Sequence, residues 1–211
     1  NGYLQVRLGV GSISPVDKAM MYSVAAGASA CAHPAHGRSR CGGAKGSDFV
    51  AVAAGLEMIH TYSLIHDDLP SMDNDDYRRG RLTNHKVFGD AMALLAGDGL
   101  LTQAFEVMLE QRGVDPKVLL EVVRLVAKCA GPTGMVGGQA LDITSEDQQL
   151  TLEQMKKLHE AKTGAMFVAA VRGGAMLGGA DPETLRIMTH FANLFGLASR
   201  SPMTSWMWKG M

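Results

Sequence analysis

The chain carries, at residues 67–76, the acidic segment Asp67-Asp68-Leu-Pro-Ser-Met-Asp73-Asn-Asp75-Asp76. It follows directly on an apolar run from Leu56 to Ile65, and Arg78, Arg79 and Arg81 come next. Carboxylates this dense repel one another unless a cation lies among them. A hard ion such as Mg²⁺ prefers oxygen ligands and often shares a phosphate-bearing ligand, and arginine can bind phosphate oxygens two at a time. The segment therefore predicts a site for Mg²⁺ and a diphosphate.

The composition narrows the class of protein. The 211 residues are enough to bury a core and fit a single domain spanning 1–211. The formal net charge of -1 gives no overall attraction to nucleic acid or to an acidic membrane surface. Only three cysteines are present, no signal peptide opens the chain, and no apolar run of about 18 residues predicts a membrane span. We therefore expect a soluble cytoplasmic protein.

Hydrophobic periodicity predicts helices and no strands of any length. Pro70 should end the long helix that precedes the acidic segment; if helix resumes beyond it, Arg78 lies about three turns after Asp67. The stretch from Thr83 to Phe88 is expected to be a connection. Helices are expected over residues 15–26, 48–66, 91–109, 116–129, 133–141, 151–177 and 181–197. The predicted architecture is an all-α bundle.

Each polar pattern in these helices also has a simpler explanation. An acidic run is often a solvated loop, although here it adjoins an apolar helix and a set of arginines. Gln139 and Asp142, three residues apart on one helix face, fit a polar stripe as well as a binding site. Lys162, inside an apolar helix, can reach an anion or extend its ammonium to water. A rival metal site is that of an HD-type phosphohydrolase, with His60, His66 and Asp67 as mixed ligands.

Three segments in order resemble a known family. These are the stretch from Ile59 to His85, the run Gly137-Gly138-Gln139-Ala140-Leu141-Asp142, and the run Lys162-Thr163-Gly164-Ala165. Together they resemble successive signatures of the trans-prenyltransferases, also called polyprenyl synthetases. Within that family the pattern is most similar to the bacterial farnesyl diphosphate synthases.

The resemblance implies a fold, an activity and roles for particular residues. The fold would be the isoprenoid-synthase helical bundle around a central cavity, here truncated at the C-terminus, and the enzyme a homodimer. It would condense isopentenyl diphosphate with an allylic diphosphate, dimethylallyl or geranyl, to give farnesyl diphosphate. Mg²⁺, with Mn²⁺ as a second candidate, would bind Asp67, Asp68 and Asp73. The allylic diphosphate would contact Arg78, Lys162, Gln139 and Thr163; isopentenyl diphosphate would contact His60 and Arg79. Among these, Asp67, Asp73, Arg78 and Lys162 are the implied catalytic residues, and Tyr62 would limit product length by forming the floor of the cavity.

Two segments depart from the family pattern. Residues 28–46 contain no Leu, Ile, Val, Met or aromatic residue where the family has a Lys/Arg loop and an apolar helix. Residues 199–211 contain both tryptophans and no helical pattern. Shifted by one base, the codons of Met203, Trp206, Met207 and Trp208 force two Asp residues, a Val and a Glu of the family's second aspartate-rich motif. We therefore expect frame errors at about 28–42 and 199–211 that impair substrate binding and turnover.

Other functions remain open from the sequence. A geranylgeranyl diphosphate synthase is the nearest alternative, and the bulk of Tyr62 argues against it. A non-catalytic prenyltransferase-like subunit or pseudo-enzyme would explain the missing second motif. The retained Asp67, Asp73, Arg78 and Lys162 argue against that second alternative.

Overall fold

Helices make up nearly all of the regular structure in the residues that the computed structural model describes, which are 3–4, 14–26, 49–145 and 148–199. The helices fall into two compact units, one built from residues up to Arg112 and one from Gly113 onward. The all-α prediction is confirmed. The single domain over 1–211 and the central cavity stay predictions, and residues 28–42 and 200–211 lie outside the described ranges.

The first unit is built around two apolar helices. Its elements are α1 (Pro15–Ala26), α2 (Val50–Asp67), β1 (Tyr77–Arg78), β2 (Arg81–Leu82), α3 (Asn84–Phe88) and α4 (Asp90–Leu109). Helix α2 is buried along most of its length, and α4 packs against it. A Cβ added at Gly55 would lie 2.5 Å from the Met108 side chain, so the glycine lets the two helices approach closely. This packing fixes the end of α2, from which the acidic segment emerges.

Helix α4 is long and apolar enough to be considered as a possible membrane span, and its packing bears on that interpretation. By length and composition alone, Asp90–Leu109 is the one helix in the described part of the chain that could cross a membrane. The core helix of a soluble protein meets the same criterion, so this is weak evidence for a span. Ala93, Ala96, Leu100 and Ala104 on α4 are fully buried. The helix therefore serves as the packing partner of α2 in the first unit.

All of the regular structure in the described part of the second unit is helical. Its elements are α5 (Pro116–Ala130), α6 (Met135–Thr144), α7 (Leu152–His159), a π-helical turn (Glu160–Gly164), α8 (Ala165–Leu177) and α9 (Pro182–Ala198). Three starts are capped by side chains: Asp115, Thr151 and Asp181 accept hydrogen bonds from backbone N–H groups in the first turn. Thr151 forms a full capping box with Gln154, as its sequence spacing predicts.

The structure differs from the predicted helices at two places. Helix does not resume after Pro70; a two-stranded hairpin at Tyr77–Leu82 and the short α3 occupy the interval instead. The predicted helix over 151–177 is interrupted by the π-helical turn. The other helices appear where they are expected, within two residues at nearly every boundary.

Candidate functional site

The acidic segment forms a loop that folds back on the end of α2. The backbone N–H of Asp73 donates to the carbonyl of Asp67 at 2.9 Å, and that of Asn74 donates to Leu69 at 3.1 Å. Asn74 adopts a left-handed conformation, φ 52°, which asparagine tolerates better than most residues. Asp67 and Asp73 are thus adjacent in space although six residues separate them. Asp67 is half-buried and Asp73 is exposed.

Asp68 has a different environment from its neighbours. Its residue is only 3% exposed. Arg78 Nε donates to both carboxylate oxygens at 2.8 and 2.9 Å, and Arg78 Nη2 lies 2.6 Å from Oδ1. Burial raises the pKa of Asp68 more than Arg78 lowers it, whereas the hydrogen bond that Arg78 donates to Asp68 raises the pKa of Arg78. We take the pair as ionised, because three short contacts join the carboxylate to a guanidinium that stays charged.

The arginine hairpin presents three guanidinium groups from one short element. Arg79 and Gly80 form its two-residue turn with φ of 53° and 75°, and Arg78 pairs with Arg81 across it. A left-handed conformation at a non-glycine residue is strained, and such strain is common at functional sites. Arg81 also lies over the Tyr22 ring, 4.3 Å from its centroid, so one guanidinium is held against α1.

Buried polar residues after the hairpin anchor it to the rest of the unit. The Thr83 hydroxyl donates to the carbonyl of Asp75 at 2.8 Å. Asn84 Nδ2 donates to the Ala19 carbonyl and to the Ser23 hydroxyl, both at 2.8 Å. Thr83 and Asn84 are each 2% exposed, so these bonds are shielded from water. Between α1, α2 and the hairpin remains a cavity of about 40 Å³, bordered by Asp68 and by all three arginines.

His60, on α2, is largely shielded from water and lies near Arg78 and Arg79. Burial chiefly, followed by the positive charges of Arg79 and Arg78, lowers the pKa of His60 to about 4. The imidazole is therefore neutral at neutral pH and can donate one hydrogen bond and accept another. An anion bound beside the two arginines would offset their charge and make protonation of His60 easier.

An NMR titration should give the His60 imidazole a midpoint near 4 instead of the usual 6.5. Because the folded-state pKa is below the unfolded-state value, the unfolded chain takes up this proton first. The free energy of unfolding should then fall as pH drops from about 6.5 toward 4, and His60→Gln should remove that part of the acid sensitivity. The same variant assigns the His60 signal. A midpoint near 6.5 would contradict the burial seen here.

The structure does not support the metal-ligand set of the phosphohydrolase alternative. His66 Nε2 lies 3.0 Å from the Leu94 carbonyl, which can only accept, so this nitrogen is an N–H donor. His60 lies instead near Arg78 and Arg79. The proposed trio of His60, His66 and Asp67 is thus not assembled around an ion.

Tyr62 occupies the position assigned to the floor of a substrate cavity. The residue is 5% exposed and packs edge to face with His66, the ring centroids being 5.7 Å apart. Burial, and secondarily the charge of Asp67, raises the pKa of the Tyr62 phenol. Its bulk therefore lies in the interior of the first unit, one and a half turns before the first aspartate.

In the second unit, Lys162 and Asp142 form an ion pair. Lys162 Nζ donates to Asp142 Oδ2 at 2.5 Å, and the lysine side chain is only 14% exposed. The lysine therefore neither extends to water nor lies unpaired. Gln139, on α6 with Asp142, and Thr163, next to Lys162, are half-buried. The structure thus places α6 and the π-helical turn side by side and brings these predicted residues into one region.

No group of three His, Cys, Asp or Glu side chains that could hold a metal occurs in the described ranges. Mg²⁺ nevertheless commonly binds proteins through one or two carboxylates, with substrate phosphates and water completing its shell. Asp67 and Asp73, whose main chains are joined by a hydrogen bond, are the two residues that could provide such a donor set. Both carboxylate oxygens of Asp68 accept hydrogen bonds from Arg78.

The comparison with protein families is decisive. The model described as Polyprenyl synthetase matches residues 23–199, which is most of the chain. This chain belongs to the polyprenyl synthetase family.

Individual members of the family are similar over much of this chain. Farnesyl diphosphate synthase of Geobacillus stearothermophilus is 56% identical over 149 residues, 70% of this chain and 50% of that protein. Farnesyl diphosphate synthase of Bacillus subtilis is 42% identical over 85% of this chain and 62% of its own length. The apo structure of an FPP/GFPP synthase from Zymomonas mobilis superposes with a TM-score of 0.88 at 35% identity, covering 93% of this chain and 73% of that one. The chain thus spans about half to three fifths of the two curated relatives.

The sequence of this polyprenyl synthetase did not disclose every residue that shapes the site. The sequence identifies Asp142 only as part of a polar face, and its pairing with Lys162 depends on helix packing. Nor does the sequence indicate that Thr83 and Asn84 anchor the hairpin. A signal was available in both cases: a polar residue in an apolar surrounding needs a partner when it is buried.

Proposed function

We propose that this chain is a Mg²⁺-dependent short-chain prenyltransferase that condenses isopentenyl diphosphate with dimethylallyl or geranyl diphosphate to give farnesyl diphosphate. The observation that carries the proposal is that the aspartates of the acidic segment have two different environments. Asp68 is buried on Arg78, while Asp67 and Asp73 remain together at the edge of the loop. Similarity to relatives named farnesyl diphosphate synthase supports the choice of substrates.

Asp67 and Asp73 would hold the metal in this proposal. Bound Mg²⁺ would supply positive charge to the diphosphate that leaves the allylic carbon. Asp68, which the resemblance also assigns to the metal, remains a candidate ligand; its contacts with Arg78 support a role in placing that arginine. A carboxylate held by a guanidinium at three contacts gives up little of its charge to a second cation.

The cationic side chains would stabilise the charge that develops on the allylic diphosphate. Arg78 and Lys162 are each held by a carboxylate, so each is oriented before substrate arrives. Gln139 and Thr163 would add hydrogen bonds to the same diphosphate. Arg79 and the neutral His60 would bind isopentenyl diphosphate, His60 as a hydrogen-bond donor. The isopentenyl double bond then attacks the allylic carbocation, and a proton is lost to the released diphosphate.

Tyr62→Ala should shift the product from C15 to longer chains, because it removes a buried ring from the proposed floor of the cavity. It should also lower the free energy of unfolding by about 3 kcal/mol, since a large buried side chain is lost. Chromatography of labelled products from Tyr62→Ala measures the first effect. Tyr62→Phe is the matched control and should keep the C15 product. Unchanged product length in a folded Tyr62→Ala enzyme would remove Tyr62 from this role.

Frame errors at about 28–42 and 199–211 are part of the proposal. The support is in the sequence. At residues 199–211, single-codon residues force family residues in the neighbouring frame. Permissible codons for residues 28–46, shifted by one base and with a further base restored partway, read approximately as the family's Lys/Arg loop and apolar helix. Resequencing the coding DNA is the test. Finding the frame as written, with no family-like frame beside it, would overturn this part and leave the metal site unaffected.

The rival functions differ in what they predict. A geranylgeranyl diphosphate synthase would give a C20 product, and a non-catalytic subunit would give none while still folding. We favour the farnesyl product because the bulk of Tyr62 shortens the cavity. We also propose that the chain acts in the cytoplasm as a homodimer, which sedimentation analysis can test.

Titration calorimetry with geranyl diphosphate tests the site without requiring turnover. Although the frame errors should weaken binding, the chain as written should still bind geranyl diphosphate measurably when Mg²⁺ is present. Binding should be at least about tenfold weaker in excess EDTA, since the carboxylates alone repel the ligand. Equal affinity under both conditions would contradict a metal-bridged diphosphate. Inorganic pyrophosphate serves as the control ligand, because it carries the charge without the prenyl chain.

A further inference from the structure

Lys162 lies in the only π-helical turn of the described residues, and its backbone is in direct contact with α6. A Cβ added at Gly138 would lie 2.2 Å from the Lys162 nitrogen and 2.5 Å from its Cα. No side chain fits there, so glycine alone allows this approach. Gly138 and Asp142 are four residues apart and share one face of α6. The same face therefore holds the Lys162 backbone at Gly138 and its ammonium at Asp142.

A second glycine contact supports the turn from α9. A Cβ added at Gly196 would lie 2.6 Å from the Cα of Gly164, the last residue of the π-helical turn. Gly138, Gly164 and Gly196 are all buried. At Gly138 and at Gly196, the two helices approach the same five-residue turn backbone to backbone. Backbone contacts are stiff, because no side-chain rotation can relieve them.

The π-helical turn also sets the direction of Lys162. A π turn holds one residue more than a regular turn, which rotates the side chains that follow by roughly 100° relative to those before. Such turns are infrequent and need support from their surroundings. Lys162 lies inside this turn, and its side chain is only 14% exposed, so it is directed away from water.

We propose that Gly138 and Gly196 are positioning residues that clamp the π-helical turn, so that Lys162 is aimed at Asp142, and that Asp142 holds the ammonium until an anionic substrate takes it over. The second half rests on the proposed function, because the anion is the diphosphate of the substrate. The first half concerns only the geometry of the turn. Gly196→Ala should displace the turn, and Asp142→Asn should free the ammonium without changing the backbone.

Acylation by N-hydroxysuccinimidyl acetate measures how accessible the Lys162 amino group is in the full chain without substrate. The extent of acylation is determined by mass spectrometry of peptides. Lys157, 69% exposed, is the internal reference. Relative to Lys157, Lys162 should react at least about fivefold faster in Gly196→Ala and in Asp142→Asn than in the parent chain. Gly173→Ala is the matched control, since its Cβ would meet only the Val122 side chain at 3.4 Å; it should leave the ratio unchanged.

The outcomes separate the clamp from the proposed function. An unchanged Lys162 ratio in folded Gly196→Ala would overturn the clamp. If that variant does not fold, an unchanged ratio in Asp142→Asn overturns the proposal instead, and an increased ratio supports it. Adding geranyl diphosphate with Mg²⁺ to Asp142→Asn should slow acylation of Lys162 again. If it does not, Lys162 does not contact the diphosphate, and the result for the clamp still stands.

Discussion

Asp67→Ala and Asp73→Ala should each weaken Mg²⁺-dependent binding of geranyl diphosphate by about a hundredfold, which corresponds to about 2.7 kcal/mol. The two residues lie together at the edge of the acidic loop, where the Asp73 N–H donates to the Asp67 carbonyl at 2.9 Å. Loss of either carboxylate leaves a single protein ligand for the ion. Titration calorimetry with and without Mg²⁺ measures the effect, and circular dichroism confirms that the fold is kept.

The sign of the effect in EDTA separates metal binding from general electrostatics. Without metal, removing a negative charge near the ligand should leave affinity unchanged or slightly higher, because repulsion falls. Asp76→Ala is the matched control; this carboxylate contacts Lys86 at 2.7 Å and carries the same charge. It should not lower affinity in Mg²⁺. An equal loss in Asp76→Ala would show that the loop acts through its total charge.

Asp68→Ala should clearly lower the stability of the folded chain. It leaves Arg78 without its main partner in a partly buried position, and breaking a buried ion pair from one side costs about 3–5 kcal/mol. The Arg78 side chain is 32% exposed, so water can compensate part of the loss. We expect the free energy of unfolding to fall by about 2–3 kcal/mol in urea denaturation.

Two further variants test whether the pair itself is responsible. Asp68→Asn keeps the size and one acceptor oxygen and should cost about half as much. The double variant Asp68→Ala with Arg78→Ala should be less destabilised than the sum of the single variants, because the unpaired charge is gone. A cost below about 0.5 kcal/mol for Asp68→Ala would mean that the contacts with Arg78 contribute little to the folded state.

Much of the fold could be predicted from local sequence. Pro15, Asp115, Thr151 and Asp181 mark helix starts through backbone chemistry that depends on a few neighbouring residues. The hairpin at Tyr77–Leu82 could not be predicted from alternation, because each strand holds only two residues. Its turn depends on Gly80 and on a left-handed Arg79, and a lone glycine after arginine is a weak signal.

The candidate site shows a similar limit. The sequence alone does not distinguish among the three aspartates Asp67, Asp68 and Asp73. Only the burial seen in the structure identifies Asp68 as the partner of Arg78. The pairing of Lys162 with Asp142 depends on two helices meeting at Gly138, a contact between residues more than twenty apart. Tertiary packing therefore decides roles that residue types alone leave open.

Formation of a C15 product from labelled isopentenyl diphosphate and geranyl diphosphate tests the central claim most directly. The assay is run with Mg²⁺ on the chain as written and on a coding sequence with both frames restored and read to its next stop codon. We predict farnesyl diphosphate from the restored chain, little or none from the chain as written, and loss of product with EDTA or Asp67→Ala. A folded, restored chain that forms no C15 product, or forms it without Mg²⁺, would contradict the account.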